Sequence, residues 1–321
     1  MKKYTEAITK VFRQNYDKHK ANETSRTVLE DMSGDKGFLT EALRQHINKP
    51  ESLNAKHYPV VGLNMELNPY YGLVANCWIP LPNQATDVST KSIHHHGDML
   101  LSTVTAFGTG YEHYTFTNPK VVDEKKERYS MELIENGAHP VNHVAFVDAY
   151  VAHLPLYPPD LTVTYALWSS RFPTGWKDRV KRLPIVQKNS KTLRDLAIKA
   201  GLAKKLELKV VEYYDFYPTS EGFCGIKERK EFELGPNEDY LHSLFYILQE
   251  TGNEHLSAEI EAKLDSGERI ENLRLVKKLL ADLKTGIKIN GKLSQTHYGI
   301  HGANFTREEI LQALAAQNKG K

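Results

Sequence analysis

Cysteine is scarce: Cys77 and Cys224 are the only two in 321 residues. Two thiols exclude a disulfide framework and a cysteine-rich metal site. An excess of charge of one sign is also missing. Forty-two lysines and arginines stand against 40 aspartates and glutamates, a net charge of +2, so nucleic acid is not an expected partner. No apolar run approaches the roughly 20 residues that cross a bilayer, and no membrane partner is expected. The opening MKKYTEAITKVFRQNYDKHK is charged and lacks the apolar centre of a secretory signal. A reducing, cytoplasmic setting is the expectation. Hydrophobic residues make up 40% and charged residues 26%, the balance of a globular chain that buries one large core or two modest ones.

The patterning changes twice along the chain. YTEAITKVFRQNY carries Tyr4, Ile8, Val11 and Phe12 at helical spacing, and GFLTEALRQHI is a second candidate helix. From YPVVGLNMEL to LTVTYALWSS the segments are short and rich in Val, Thr and aromatics. Pro, Gly and Asn separate them, which predicts a β-sandwich or barrel. Helical patterns then return in SKTLRDLAIKAGLAKKL, NEDYLHSLFYILQETG, SAEIEAKLDSG, RIENLRLVKKLLADLKTG and TREEILQALAAQ, with strand-like ELKVVEYYDFYP and GFCGIKERKEFELG between them. Thr306 and Glu309 have the spacing of a capping box. The expected organisation is an α+β chain in three parts: an N-terminal helical segment over 1–57, a barrel over 58–175 and a mostly helical region over 176–321. Leu241, Phe245, Leu248, Leu273, Val276 and Leu280 need a burial partner. The C-terminal helices are therefore expected to close over the barrel or to pair two copies as a homodimer.

Against this background, the stretch STKSIHHHGDMLL sets His94, His95 and His96 side by side at the entry to a strand. Alternate side chains of a strand share a face, so His94 and His96 point one way and His95 the other. A third ligand lies in FVDAYVAHLPLYPPDL, where His153 ends a strand. An antiparallel barrel brings such distant strands together. Three imidazoles on rigid strands make a facial metal site with open positions. Asp98 continues the same alternation and is a second candidate ligand, balanced against a simple charge at the turn after Gly97.

The stretch LVANCWIPLPNQATDVSTKSIHHHGDMLLSTVTAFGTG resembles the first motif of the cupin superfamily, with His94 and His96 as the paired ligands. It is closest in style to thiol dioxygenases of the cysteine dioxygenase type, with Cys77-Trp78 and Ile93-His94-His95-His96 in the corresponding positions. The resemblance covers about a third of the chain and implies a double-stranded β-helix, or jelly-roll, barrel. Departures shape the rest. Leu100 and Leu101 stand where many cupins carry a glutamate ligand, which favours a three-histidine site. Leu101 also occupies the place of the crosslinking cysteine. No arginine in HYPVVGLNMEL matches the one that pairs the substrate carboxylate. Of the second motif, Asp148-Ala-Tyr150-Val-Ala-His153 keeps only the histidine. The resemblance thus implies a metal cupin more than it implies cysteine as substrate.

Other polar residues are weighed against ordinary packing. Tyr157 and Tyr165 are candidate proton donors near His153, although tyrosine in β structure is commonly a packing residue. His139 and His143 either line the barrel mouth and orient a ligand or belong to a polar loop. In YEHYTF, either Glu112 or His113 faces the lumen, or cross-strand pairing accounts for both. His297 and His301 lie among glycines and read as a loop. The expected function is a mononuclear non-haem iron dioxygenase, an oxidoreductase taking a small polar molecule and O₂, with Fe(II) as cofactor. Alternatives are a Zn- or Mn-dependent isomerase or hydrolase, and a non-catalytic small-ligand cupin with a partner-binding helical region.

Overall fold

The computed structural model describes residues 1–15, 17–56, 60–81, 86–89, 92–169, 215–226, 232–291, 299–300 and 305–317. The expected helix in SKTLRDLAIKAGLAKKL, together with His297 and His301, lies outside the described residues.

Three helices open the chain: α1 (Lys2–Gln14), α2 (Lys18–Gly34) and α3 (Lys36–Ile47). Asp17 and Asp35 cap α2 and α3, accepting from the backbone N–H of His19 and Gly37 at 2.8 and 3.0 Å. A five-stranded antiparallel sheet follows in the order β1 (Val60–Leu67), β2 (Tyr71–Trp78), β12 (Thr162–Ser169), β5 (Leu101–Phe107) and β10 (Val144–Val147). An eight-stranded sheet runs β7 (Lys120–Asp123), β8 (Arg128–Ser130), β14 (Gly222–Gly225), β13 (Asp215–Thr219), β4 (Ile93–His94), β11 (Ala152–Pro155), β6 (Glu112–Phe116) and β9 (Leu133–Ala138). Two short pairs complete the strands: β3 (Val88–Ser89) with β17 (Phe305–Thr306), and β15 (Phe232–Glu233) with β16 (Gly299–Ile300). The later helices are α4 (Asn237–Glu250), α5 (Ser257–Asp265), α6 (Leu273–Thr285) and α7 (Arg307–Ala316).

Period-two alternation decides which face each strand residue takes. On β2, Tyr71, Leu73, Ala75 and Cys77 face outward into a core shared with α1–α3 and α4–α6. Their neighbours Asn76 and Trp78 face the space between the sheets. On β12 the same split sends Val163, Tyr165 and Leu167 to the helices and Thr164, Ala166 and Trp168 inward. The helices thus cover the outside of the five-stranded sheet, and their apolar stripes are met within the chain: Leu241, Phe245, Leu248, Val276 and Leu280 are buried there, whereas Leu273 is exposed. On the other side, α7 packs Ile310 and Ala313 against Phe216 and Phe223 of the eight-stranded sheet. Thr306 and Glu309 form the expected capping box at its start.

The barrel is not confined to residues 58–175. Strands β13 and β14 come from beyond that boundary, and β13 pairs directly with β4.

Candidate metal centre

Four residues form one row across the eight-stranded sheet. Asp215 of β13 stands opposite His94 of β4, His94 opposite His153 of β11, and His153 opposite Thr115 of β6. His94 and His153 therefore share an inward face. His96 reaches the same point by a different route from simple alternation. Strand β4 ends at His94, and the chain turns at Gly97 (φ 63°) with a Met99 N–H to His96 carbonyl bond of 3.3 Å. The turn swings His96 back over the sheet. Ring centroids lie 4.5 Å apart for His94 and His153, 4.6 Å for His96 and His153, and 4.8 Å for His94 and His96. The three side chains present potential ligand nitrogens that all lie within 4.8 Å of one another. This is the metal-competent group of at least three ligands among the described residues.

The donor set fits a first-row divalent metal. Imidazole suits iron, zinc, copper and nickel, and ligation needs a lone pair on a nitrogen whose ring is fixed from its other side. Two rings are fixed in this way. His94 Nδ1 donates to the Ser92 carbonyl at 2.8 Å, and His153 Nδ1 to the Val151 carbonyl at 3.2 Å. Each bond leaves Nε2 as the lone-pair nitrogen of the neutral ring. The Ser92 hydroxyl in turn donates to buried Asp215 Oδ1 at 2.6 Å, so the strand that carries His94 is anchored by a carboxylate on the neighbouring strand β13. His96 packs edge-on against Trp168, with centroids 4.2 Å apart.

The triad opens into a cavity of about 60 Å³ that runs between the two sheets. Leu101, Val147, Ala166 and Trp168 wall the end nearest His96, and Asn76, Trp78, Thr103 and Thr164 line the five-stranded sheet. The Trp78 indole N–H donates to Thr164 Oγ1 at 3.2 Å. The far end holds Tyr111, His113 and His139. The Tyr111 and His139 rings stack at 4.8 Å and 11°, and His113 meets His139 edge-on at 4.2 Å. Burial, reinforced by His113 and His143, holds His139 down at about 3. Burial also lowers His113, opposed by Glu135 and by a hydrogen bond to the Gly137 backbone. The Tyr111 phenol is pushed up to about 12 by burial, against a hydrogen bond with Thr103. No carboxylate, lysine or arginine lines this cavity among the described residues.

Several sequence candidates fall elsewhere. Asp98 is exposed and pairs with Lys18 across 3.6 Å, outside the triad. His95 does face away from the triad, and it is buried. Its Nδ1 accepts the Gly97 N–H at 3.1 Å, and its ring lies near Tyr150 and Phe216. Tyr165 points through the sheet to Phe38 of α3, with centroids 5.1 Å apart. Its neighbours Thr164 and Ala166 take the cavity face instead. Tyr157 sits behind Trp78, 5.5 Å away, and lines a separate cleft with Arg307. Glu112 faces outward and pairs with Arg307 at 2.5 Å. His143 is exposed, while His113 and His139 reach the lumen. Leu101 lines the cavity. Cys77 is in the outer core, its thiol pushed up to about 12 by burial.

Sequence reading missed Asp215 and Ser92. The available signal was a single acid inside the aromatic run YYDFY, since a buried acid in such a strand needs a partner. It also missed Asn76 and Thr164, which alternation along LVANCW and LTVTYALW places inward.

No family model matches the chain, and no curated protein matches it. Solved structures do. The chain is similar to DMSP lyases at 12% identity over 32% of its length and 39% of theirs, with a TM-score of 0.21, so it spans about two fifths of those chains. It is similar to an RmlC-like cupin protein from Desulfovibrio desulfuricans at 12% identity, covering 36% of this chain and 90% of that one, with a TM-score of 0.23. A sugar phosphate isomerase of the cupin superfamily from Silicibacter pomeroyi gives 14% identity, 36% and 61% coverage, and a TM-score of 0.23. By its own strand order the chain is an α+β protein with a cupin-like two-sheet barrel, and its chemistry rests on the geometry of the three histidines and the cavity they face.

Proposed function

We propose that the protein is a mononuclear metal enzyme, with His94, His96 and His153 holding Fe(II), and that it oxygenates a small polar molecule. The observation that supports this most is the convergence of three histidines at one end of a cavity lined by uncharged groups. Divalent iron held by three neutral ligands supplies redox chemistry and open positions for a substrate and O₂. The protein supplies everything else. The Ser92 and Val151 carbonyls hold two imidazoles in the ligating tautomer. Leu101, Val147, Ala166 and Trp168 exclude water beside the triad, which strengthens every polar interaction there. Thr164 accepts from Trp78 and so has its own hydroxyl proton to offer a bound molecule. Tyr111, whose burial keeps its phenol protonated at neutral pH, is the tyrosine placed to hold a proton at the cavity wall, a role expected of Tyr157 or Tyr165 from sequence.

Oxygenation is preferred to metal-assisted hydrolysis or isomerisation because three neutral imidazoles with open positions beside them suit a redox-active Fe(II). The test loads the purified protein anaerobically with Fe(II), then screens small thiols, amino acids and hydroxy or phenolic acids on an oxygen electrode. Iron-dependent uptake that disappears in His153→Ala is the expected result. Turnover without O₂ uptake by Zn- or Mn-loaded protein would replace this reading with the isomerase or hydrolase, and ligand binding without turnover would leave a binding protein.

A further inference from the structure

We infer that His113 and His139 anchor the end of the substrate remote from the triad, and that this end is an uncharged hydrogen-bonding group such as a carboxamide or hydroxyl. The inference rests on the metal reading above, which places the other end of the molecule at His94, His96 and His153.

Geometry defines the distance between the two subsites. His113 stands opposite Pro155, and Thr115 opposite His153. The His113 row is therefore two strand residues along from the triad, about 7 Å away. Both groups line the same cavity. Its volume of about 60 Å³ admits on the order of four to six water-sized groups, so a small ligand touching the triad also reaches the two histidines.

The second subsite is built rather than incidental. His139 is 2% exposed, yet its Nδ1 finds no hydrogen-bond partner among the described residues, and neither does His113 Nδ1. A buried polar atom without a partner is costly. Both rings line the cavity, so a molecule that enters it meets their edges and pairs with the ring nitrogen it reaches. The backbone beneath His139 is held from three sides. Its N–H donates to the Tyr111 carbonyl at 2.8 Å, its carbonyl accepts from Thr105 Oγ1 at 3.0 Å, and Gly110 lies so close that a Cβ there would meet the carbonyl oxygen at 1.9 Å. Tyr111 covers the ring face. A ring held this firmly binds without paying much ordering entropy.

Charge narrows the ligand. The cavity lining has no lysine, arginine or carboxylate among the described residues. A carboxylate or ammonium at the remote end would be buried without a counter-ion, whereas a neutral donor–acceptor group pairs with imidazole nitrogens at no such cost. The substrate class is therefore a short molecule with one metal-binding end and one neutral polar end.

Three isosteric carboxylates test this: malonamate with a remote carboxamide, malonate with a remote carboxylate, and isovalerate with a remote isopropyl group. Each is titrated calorimetrically into Zn(II)-loaded protein, after zinc stoichiometry is measured. Malonamate is expected to bind at least about tenfold more tightly than the other two. His139→Phe and, separately, His113→Phe should erase the preference at unchanged zinc content, with isovalerate affinity retained. In wild-type protein, imidazole nitrogen NMR signals of His139 should move with malonamate and stay in place with isovalerate. Equal binding of all three, tightest binding of malonate, or a preference that survives in both variants would overturn the inference alone. Failure of wild-type protein to take up zinc at the triad would overturn the metal reading and this inference with it.

Discussion

His94 stands directly opposite His153 across the β4–β11 pair, their ring centroids 4.5 Å apart, although the two strands are far apart in the chain. The pairing makes an explicit prediction. His94→Ala, His96→Ala and His153→Ala should each abolish stoichiometric metal binding and leave the fold intact, because the main core lies on the far side of the five-stranded sheet. Metal analysis and circular dichroism check this together. Full metal content in any one variant would remove that residue from the site.

The carboxylate beside His94 on strand β13 should matter less, but measurably. Asp215 accepts from Ser92, whose carbonyl fixes the His94 ring. Asp215→Asn should weaken metal affinity by about 10–100-fold, the usual cost of disturbing an outer hydrogen bond. Competition with a chelator of known affinity measures it, and unchanged affinity would mean that Ser92 positions His94 without help.

How much of this was legible beforehand differs by residue. The three histidines were readable only in part: alternation put His94 and His96 on one face, but β4 ends at His94 and the turn at Gly97 is what brings His96 over the sheet. The barrel was readable from period-two alternation, as in β2 and β12. Faces were harder. Tyr157 and Tyr165 were placed near His153 by sequence distance, yet Tyr165 falls on the helix-facing parity of β12 and Tyr157 behind Trp78. Asp98 failed as a ligand because Gly97 turns the chain before alternation reaches it. The contribution of β13 was hidden for a different reason: long-range strand pairing leaves no local signal in a segment beyond residue 175.

Gly110 should be intolerant of any side chain. It has φ 79°, and a Cβ would sit 1.9 Å from the His139 carbonyl oxygen. Gly110→Ala should destabilise the protein by more than about 2 kcal/mol. Gly252→Ala is the control, with φ 68° and nothing within 4 Å of its Cβ, and should cost about 1 kcal/mol. Urea midpoints for the two variants make the comparison. Equal losses would show that His139 is not held as described.

Acid should destabilise the metal-free protein early. Burial, with Lys49 and Lys263 nearby, holds His46 down at about 4, and its Nε2 lies 2.7 Å from the Tyr240 hydroxyl. His139 is held at about 3. The unfolded chain protonates both near 6.5, so it binds more protons than the folded chain below that pH. Their stabilising effect is complete above about pH 6.5 and is lost progressively as pH falls toward 4 and then 3, by on the order of a few kcal/mol in all. Denaturant titrations at about pH 7.5 and about pH 4.5 check the sign. Stability that holds level or rises toward acid would contradict it.

X-ray absorption on the Fe(II)-loaded protein, kept anaerobic, tests the central claim most directly. The account predicts one iron per chain with a first shell that includes three imidazole nitrogens at about 2.0–2.2 Å, and loss of that imidazole signature in His96→Ala. Iron bound through carboxylates, or an imidazole signature unchanged in His96→Ala, would contradict it.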